Sequence, residues 1–173
     1  MNFINKKYFS IHIFFGSQTG YTESIALHLK EKIMKEVKPI TIHIDILNHL
    51  LNYTISKDDF TIFLLSTTGD GEFPENSETL YKILRKNKEI DLSHIHYCLL
   101  GLGDSNYNSF CHSSKILDRL LKRKNATKFL KTCFNDDCVQ SNETIDKWMT
   151  NVITHLNDYK ITLWKWFVQS MTT

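Results

Sequence analysis

Residues 10–25 read SIHIFFGSQTGYTESI, and the rest of the chain is best read outward from this stretch. Ser10 to Phe15 is β-branched and aromatic, the composition of a buried strand, and it stops at Gly16. From Thr22 onward Ile25, Leu29, Ile33 and Val37 recur at helical spacing, with Glu23 where the helix dipole favours an acid. The connecting loop is Gly16, Ser17, Gln18, Thr19, Gly20, Tyr21, Thr22. Hydroxyls and the unpaired N–H groups of a helix start converge there, so a dianionic phosphate can be bound without a lysine. That sets the loop apart from a Walker loop, which requires Gly-Lys-Ser/Thr. The same residues also suit an ordinary capped helix start, and the loop alone leaves both readings open.

Pro39 stops the first helix, and Ile40 to Leu47 then alternates apolar with polar residues, as a half-exposed strand near a sheet edge does. Phe60 to Leu65 is a continuous apolar run, expected of a strand covered on both faces. Ser77 to Asn87 reads as a helix, His96 to Leu102 as a buried strand, and Tyr107 to Lys124 as a helix with Ile116, Leu117, Leu120 and Leu121 inward. Phe129 to Phe134 is a short strand and Glu143 to Leu156 a closing helix. Strands alternating with helices imply parallel strands in a doubly wound, five-stranded α/β sheet. Ligands of such sheets bind beyond the carboxyl ends of the strands, at the switch point, which directs attention to the loops after the first, third and fourth strands.

The second of these loops runs Ser66, Thr67, Thr68, Gly69, Asp70, Gly71, Glu72, Phe73, Pro74. Its glycines let the backbone approach a planar ligand and adopt positive φ, though Thr-Gly-Asp-Gly also suits a plain turn. The third runs Gly101, Leu102, Gly103, Asp104, Ser105, Asn106, Tyr107. It fails as a dinucleotide fingerprint because Asn106 replaces the third glycine. Tyr107 stands where an aromatic face can stack on a ring system, or pack locally at a helix start.

Composition bounds the rest. A chain of 173 residues with 42% hydrophobic and 23% charged residues is one globular domain. A net charge of +2 does not call for nucleic acid. Cys98, Cys111, Cys133 and Cys138 lack metal or thioredoxin-like spacing, and no span of about 20 apolar residues occurs, so a reducing, cytoplasmic setting without membrane or metal is expected.

Phe-Gly-Ser-Gln-Thr-Gly, Ser-Thr-Thr-Gly-Asp-Gly and Leu-Gly-Leu-Gly-Asp-Ser-Asn-Tyr, in this order and spacing, resemble the FMN domain of the diflavin reductases. That family includes methionine synthase reductase, the NADPH-dependent diflavin reductase of cytosolic iron-sulfur assembly, and cytochrome P450 reductase. The resemblance runs from about Tyr8 to Leu156 and implies a flavodoxin-like three-layer fold with strand order 2-1-3-4-5, a domain over residues 8–157, and a tail or connector over 158–173.

By the family pattern, Ser17, Gln18, Thr19, Gly20, Tyr21 and Thr22 would wrap the FMN phosphate. Thr67, Thr68, Gly69, Asp70 and Gly71 would line one edge of the isoalloxazine, and Leu100, Gly101, Gly103, Tyr107, Asn108, Phe110 and Cys111 the other wall, with Tyr107 stacked on the ring. Asp136 would lie near the exposed reactive edge. Two departures stand out: Thr68 replaces the second stacking aromatic of cytochrome P450 reductase, and Tyr21 replaces a small residue or threonine.

The resemblance implies one-electron transfer through FMN, with FAD and NADPH on a separate domain or partner and a protein acceptor docking at the flavin edge. Asp70, Glu72, Glu75, Glu78, Asp104, Asp136 and Asp137 cluster around the loops, which predicts a negative field there and a basic acceptor surface. Rotation of the Gly69-Asp70 peptide would present the Gly69 carbonyl to the flavin N5–H. A stand-alone flavodoxin-type carrier is the alternative, and a signalling or scaffold domain on the same fold is a third reading.

Overall fold

The computed structural model describes residues 9–37, 41–139 and 142–171, with the side chains of 164, 166–168, 170 and 171 outside the description. Tyr8, Pro39 and Ile40 therefore lie outside the described residues, as do the side chains of Trp164, Trp166 and Phe167.

Strands β1 (Ser10–Gly16), β2 (Thr41–Ile46), β3 (Phe60–Ser66), β4 (His96–Gly103) and β5 (Thr127–Lys128) form a parallel sheet in the order β2-β1-β3-β4-β5. A sixth strand, β6 (Cys133–Asp136), also pairs with β4 in parallel, Leu100 to Gly103 facing Cys133 to Asp136. β5 and β6 thus share the fifth position of the expected order. The single strand expected over Phe129 to Phe134 is replaced by these two pieces, interrupted at 129–132. There Lys128 Nζ turns inward to the Asp118 carboxylate at 2.7 Å, and Thr132 Oγ1 donates to the same carboxylate at 3.1 Å.

Helices α1 (Tyr21–Glu36) and α4 (Glu143–Met171) cover one face of the sheet, and α2 (Glu75–Lys86) and α3 (His112–Arg123) the other. Ile25, Leu29 and Ile33 pack with Trp148, Met149 and Val152 against Ile13, Ile62 and Leu100. Leu80, Leu84, Leu117 and Leu121 pack against Phe14, Phe63 and Leu99 on the opposite face. Period-two alternation along β1, β3 and β4 feeds both layers, which is why these strands read as unbroken apolar runs.

Of the element boundaries that shift from the periodicity reading, three change the packing or the approach to the loops. The second strand ends at Ile46, and Leu47–Asn52 forms a 3-10 turn that buries Leu47 and Leu50. The third helix begins at His112 instead of Tyr107, because Cys111 adopts φ 51° and Tyr107 to Cys111 close i to i+3 turns. The last helix does not stop at Leu156: Tyr159 packs on Phe9 and Phe60, Lys160 Nζ donates to the Val37 carbonyl at 2.7 Å, and the helix continues to Met171. Among the described residues no helix is long and apolar enough to cross a membrane.

Candidate functional site

The loops after β1, β3 and β4 meet at the carboxyl edge of the sheet, at the point where β1 is followed by β2 on one side and flanked by β3 on the other. In the first loop Ser17 Oγ accepts hydrogen bonds from the N–H groups of Gly20 (3.0 Å) and Thr22 (3.3 Å). Ser17 N–H donates to Asn76 Oδ1 at 2.9 Å, which ties the loop to α2. Gly20 turns the chain into α1 at φ 87°, a conformation that L side chains rarely adopt. Among the described residues the N–H groups of Gln18, Thr19 and Tyr21 have no hydrogen-bond partner, and neither does the fully buried Thr22 Oγ1. Buried polar groups are normally paired, so the orphaned Thr22 hydroxyl, beside the open N–H groups of exposed Gln18, Thr19 and Tyr21 at a helix N-terminus, gives the loop the character of an anion cradle.

The second loop is a paired turn. Thr68 N–H donates to the Glu72 carbonyl at 3.0 Å, and Glu72 N–H donates back to the Thr68 carbonyl at 2.8 Å. Gly69 sits at φ 51°, where an added Cβ would also collide with the Glu72 carboxylate. Helix α3 and the turn before it hold this loop from below. Ser113 Oγ donates to the Glu72 carbonyl at 2.7 Å, Ser109 Oγ to the Asp70 carbonyl at 2.8 Å, and Ser113 N–H to Thr67 Oγ1 at 3.2 Å. The peptide between Gly69 and Asp70 is different: among the described residues neither its carbonyl nor its N–H has a partner.

In the third loop Asp104 caps the turn, accepting from Asn106 N–H at its carboxylate (2.8 Å) and from Tyr107 N–H at its carbonyl (3.2 Å). Tyr107 stands beside the cleft, 64% exposed. Asp136 braces the loop, its Oδ1 accepting from Ser105 N–H at 2.9 Å and Cys138 N–H at 3.1 Å. The bonds from Ser105 hold the Asp136 carboxyl below the usual carboxylate range. Asp137 is raised: burial pushes it up, the Asn135 hydrogen bond opposes this, and the charges of Asp104 and Asp136 add to the rise. Burial also raises the Tyr21 phenol, and the nearby charge of Asp137 raises it further, linking the first loop to the end of β6.

Between the second and third loops lies a cleft of about 410 Å³. It brings together Thr67, Thr68, Gly69, Asp70, Gly103 and Tyr107 of the expected set. Ser17 to Thr22 form the adjoining cradle at the start of α1. Gly71 lies buried beneath the turn, and Leu100 and Gly101 are buried within β4. Asn108 and Phe110 belong to the turn ahead of α3. Cys111 is fully buried at the end of that turn, its thiol pushed up to about 12 by burial.

Ser66, Leu102, Asp104, Ser109 and Asp137 also line the cleft, beyond the expected set. Ser66 and Leu102 belong to the loops read from the sequence, and Asp104 and Asp137 to its acidic cluster, without being assigned to the cofactor's walls; a strand expected over 129–134 stops two residues short of the true end at Asp136 and so hides how near Asp137 comes. The adjacency of Asp137 to Asp136 is the available signal.

A flavodoxin family model matches residues 13–148. The sulfite reductase [NADPH] flavoprotein alpha-component of Mannheimia succiniciproducens is 31% identical over 144 residues, covering 83% of this chain and 24% of that protein. Methionine synthase reductase of Bos taurus is 28% identical over 144 residues, covering 81% of this chain and 20% of its own length. The chain thus spans about a quarter or less of these relatives. Among solved structures, oxidised Flavodoxin 1 from Bacillus cereus superposes with a TM-score of 0.65 at 20% identity, over 85% of this chain and 96% of that one.

Proposed function

Because this chain belongs to the flavodoxin family, we infer that it is an FMN-binding electron-transfer domain, relaying single electrons from an NADPH/FAD reductase module to a protein acceptor. The observation that carries this reading is the conjunction of an anion cradle without a cation and a ring-sized cleft beside it. The cradle's unpartnered Gln18, Thr19 and Tyr21 N–H groups and the orphaned Thr22 hydroxyl fit a phosphate ester. The cleft's volume of about 410 Å³ falls within the range of cofactor sites, roughly 300–1,000 Å³.

Bound FMN supplies the redox chemistry, taking up and giving up electrons one at a time. The chain's residues bind, orient and tune it. Ser17, Gln18, Thr19, Gly20, Tyr21 and Thr22 hold the phosphate. Tyr107 would stack on one ring face, and Thr68 would cover the other less fully than an aromatic. Thr67 and Gly71 shape the turn, and Asp70 is anchored through its carbonyl by Ser109. The Gly69 carbonyl, free of any described protein partner, would accept a hydrogen bond from the ring N5–H once the 69–70 peptide rotates, a rotation that breaks no described bond. Leu100, Gly101, Gly103, Asn108, Phe110 and Cys111 support the Tyr107 wall, and Asp136 braces the exposed edge.

The FAD and NADPH sites would belong to a module in cis or trans, NADPH being named for the sulfite reductase flavoprotein relative, with a basic protein acceptor at the acidic edge and neither nucleic acid nor membrane as partner. Four free thiols suit the cytoplasm. A stand-alone carrier is the second reading, because the family model that matches residues 13–148 is that of flavodoxin. The test is the absorption spectrum of the purified protein after FMN addition and gel filtration: a co-eluting yellow chromophore is expected, and its absence removes the reading. Reduction by a separate NADPH-dependent FAD reductase then distinguishes a carrier working in trans from a module that requires covalent linkage.

A further inference from the structure

Lys115 projects from the first turn of α3 over the turn that carries Tyr107. Its Nζ donates to the Phe110 carbonyl at 2.7 Å. The same ammonium stands over two rings, 5.1 Å from the Phe110 centroid and 5.5 Å from that of Phe134. Phe110 N–H in turn donates to the Tyr107 carbonyl at 3.2 Å, so the residue whose carbonyl Lys115 holds closes, through its own N–H, the turn on which Tyr107 sits. Phe134 belongs to β6, three residues before Asp137, which enters the cleft. One ammonium therefore ties the Tyr107 wall to the strand that delivers the cleft carboxylate. A charge-assisted hydrogen bond and two cation–π contacts are directional where simple packing is not.

The backbone here needs such a tie. Cys111, between Phe110 and α3, adopts φ 51°, an uncommon conformation for a side-chain residue. The turn thus reaches the helix through a strained residue, and Lys115 spans the strain by bonding from inside the helix to the residue ahead of it. At the buried Cys111 thiol the Lys115 charge acts with the opposite sign to those of Asp137 and Asp136, of which Asp137 lines the cleft. That thiol lies behind Gly103, a residue of the cleft wall.

We propose that Lys115 is a positioning residue: it sets the Tyr107 wall against β6 and supplies a positive charge that offsets the cleft carboxylates, so that FMN binding and the ease of FMN reduction both depend on it. This rests on the FMN reading above. It concerns the ammonium itself, as hydrogen-bond donor and cation. Arginine at this position can do the same, and methionine, of similar length and apolar, cannot.

The test compares Lys115→Met and Lys115→Arg with the unmodified protein by three measurements. Hydrogen–deuterium exchange of the 105–112 backbone in FMN-free protein reports the turn alone. FMN titration reports affinity, and spectroelectrochemistry reports the midpoint potential of bound FMN. In Lys115→Met, exchange at Phe110 and His112 should accelerate about tenfold and FMN affinity should fall by a similar factor. The midpoint should move to more negative values, because a cation favouring electron uptake is gone. Lys115→Arg should restore all three.

Unchanged exchange in Lys115→Met overturns the positioning claim whether or not FMN binds. Altered exchange and affinity with an unmoved midpoint overturns the electrostatic half. Failure of arginine to restore the values overturns the proposal as a whole, assigning the effect to packing. If the unmodified protein binds no FMN, the functional reading fails separately, while the exchange data still decide the role of Lys115 in the turn.

Discussion

Gly69 combines a backbone angle of φ 51° with a Cα that faces the Glu72 carboxylate; that exposed side chain can swing away, so the backbone angle is what disfavours a larger residue. A β-branched side chain at positive φ is strained by about 1–3 kcal/mol. Gly69→Val should therefore push the 69–70 peptide out of its present geometry and lower the fraction of one-electron-reduced FMN that accumulates during stepwise reduction. An unchanged fraction would count against a role for the Gly69 carbonyl at N5. Neighbouring residues show how uneven side-chain roles are within one loop. Asp136 and Asp137 are adjacent acids, yet Asp136 is occupied by two backbone N–H groups while Asp137 lines the cleft with its carboxyl raised.

In the sheet, His43 of β2, His12 of β1, Thr61 of β3 and Tyr97 of β4 fall at one register level. His12 is buried, stacks on His43 at 5.0 Å between ring centroids, and has no hydrogen bond at either ring nitrogen. Tyr53 packs edge-on to both rings, and the Asp59 carboxylate lies 3.6 Å from His12 Nε2. Burial lowers the His12 pKa, Asp59 opposes this and His43 reinforces it, leaving the net value below the ordinary 6.5. A base whose folded pKa is depressed takes up its proton more readily in the unfolded chain. Its contribution to stability is present above pH 6.5 and is lost as pH falls below that value. Denaturant unfolding should show stability declining between about pH 7 and 5, and His12→Phe should flatten that slope. A slope unaffected by the substitution would place the pH dependence elsewhere.

Across the whole molecule, charge is distributed against its own average. The net charge is +2, yet the carboxyl edge gathers Asp70, Glu72, Glu75, Asp104, Asp136 and Asp137 around the cleft. The parallel topology causes this, because every strand's carboxyl end and the acid-bearing start of α2 open on the same side. Reduction of a basic protein acceptor should therefore slow as ionic strength rises through the range where the Debye length falls to about 10 Å, near 0.1 M. Stopped-flow rates insensitive to salt would remove electrostatic steering.

Periodicity and glycine placement were enough to read the alternating strands and helices, the strand order through the resemblance of the three loops, and the loops that meet at the site. These are local properties: a strand's pleat, a helix's apolar stripe and a turn's need for positive φ are written in neighbouring residues. Only the tertiary structure decided that α3 starts at His112, because the conformation of Cys111 is held by contacts across the fold, with Gly103 and Asn135 against it. It likewise split the fifth strand, where Asp118 on α3 draws in Lys128 and Thr132. It placed Asp137 in the cleft and Asp136 in the loop brace, since strand register is set by pairing with β4, whose residues lie about thirty positions earlier in the chain. Contacts of that range carry no local pattern, so they are settled only when the sheet closes.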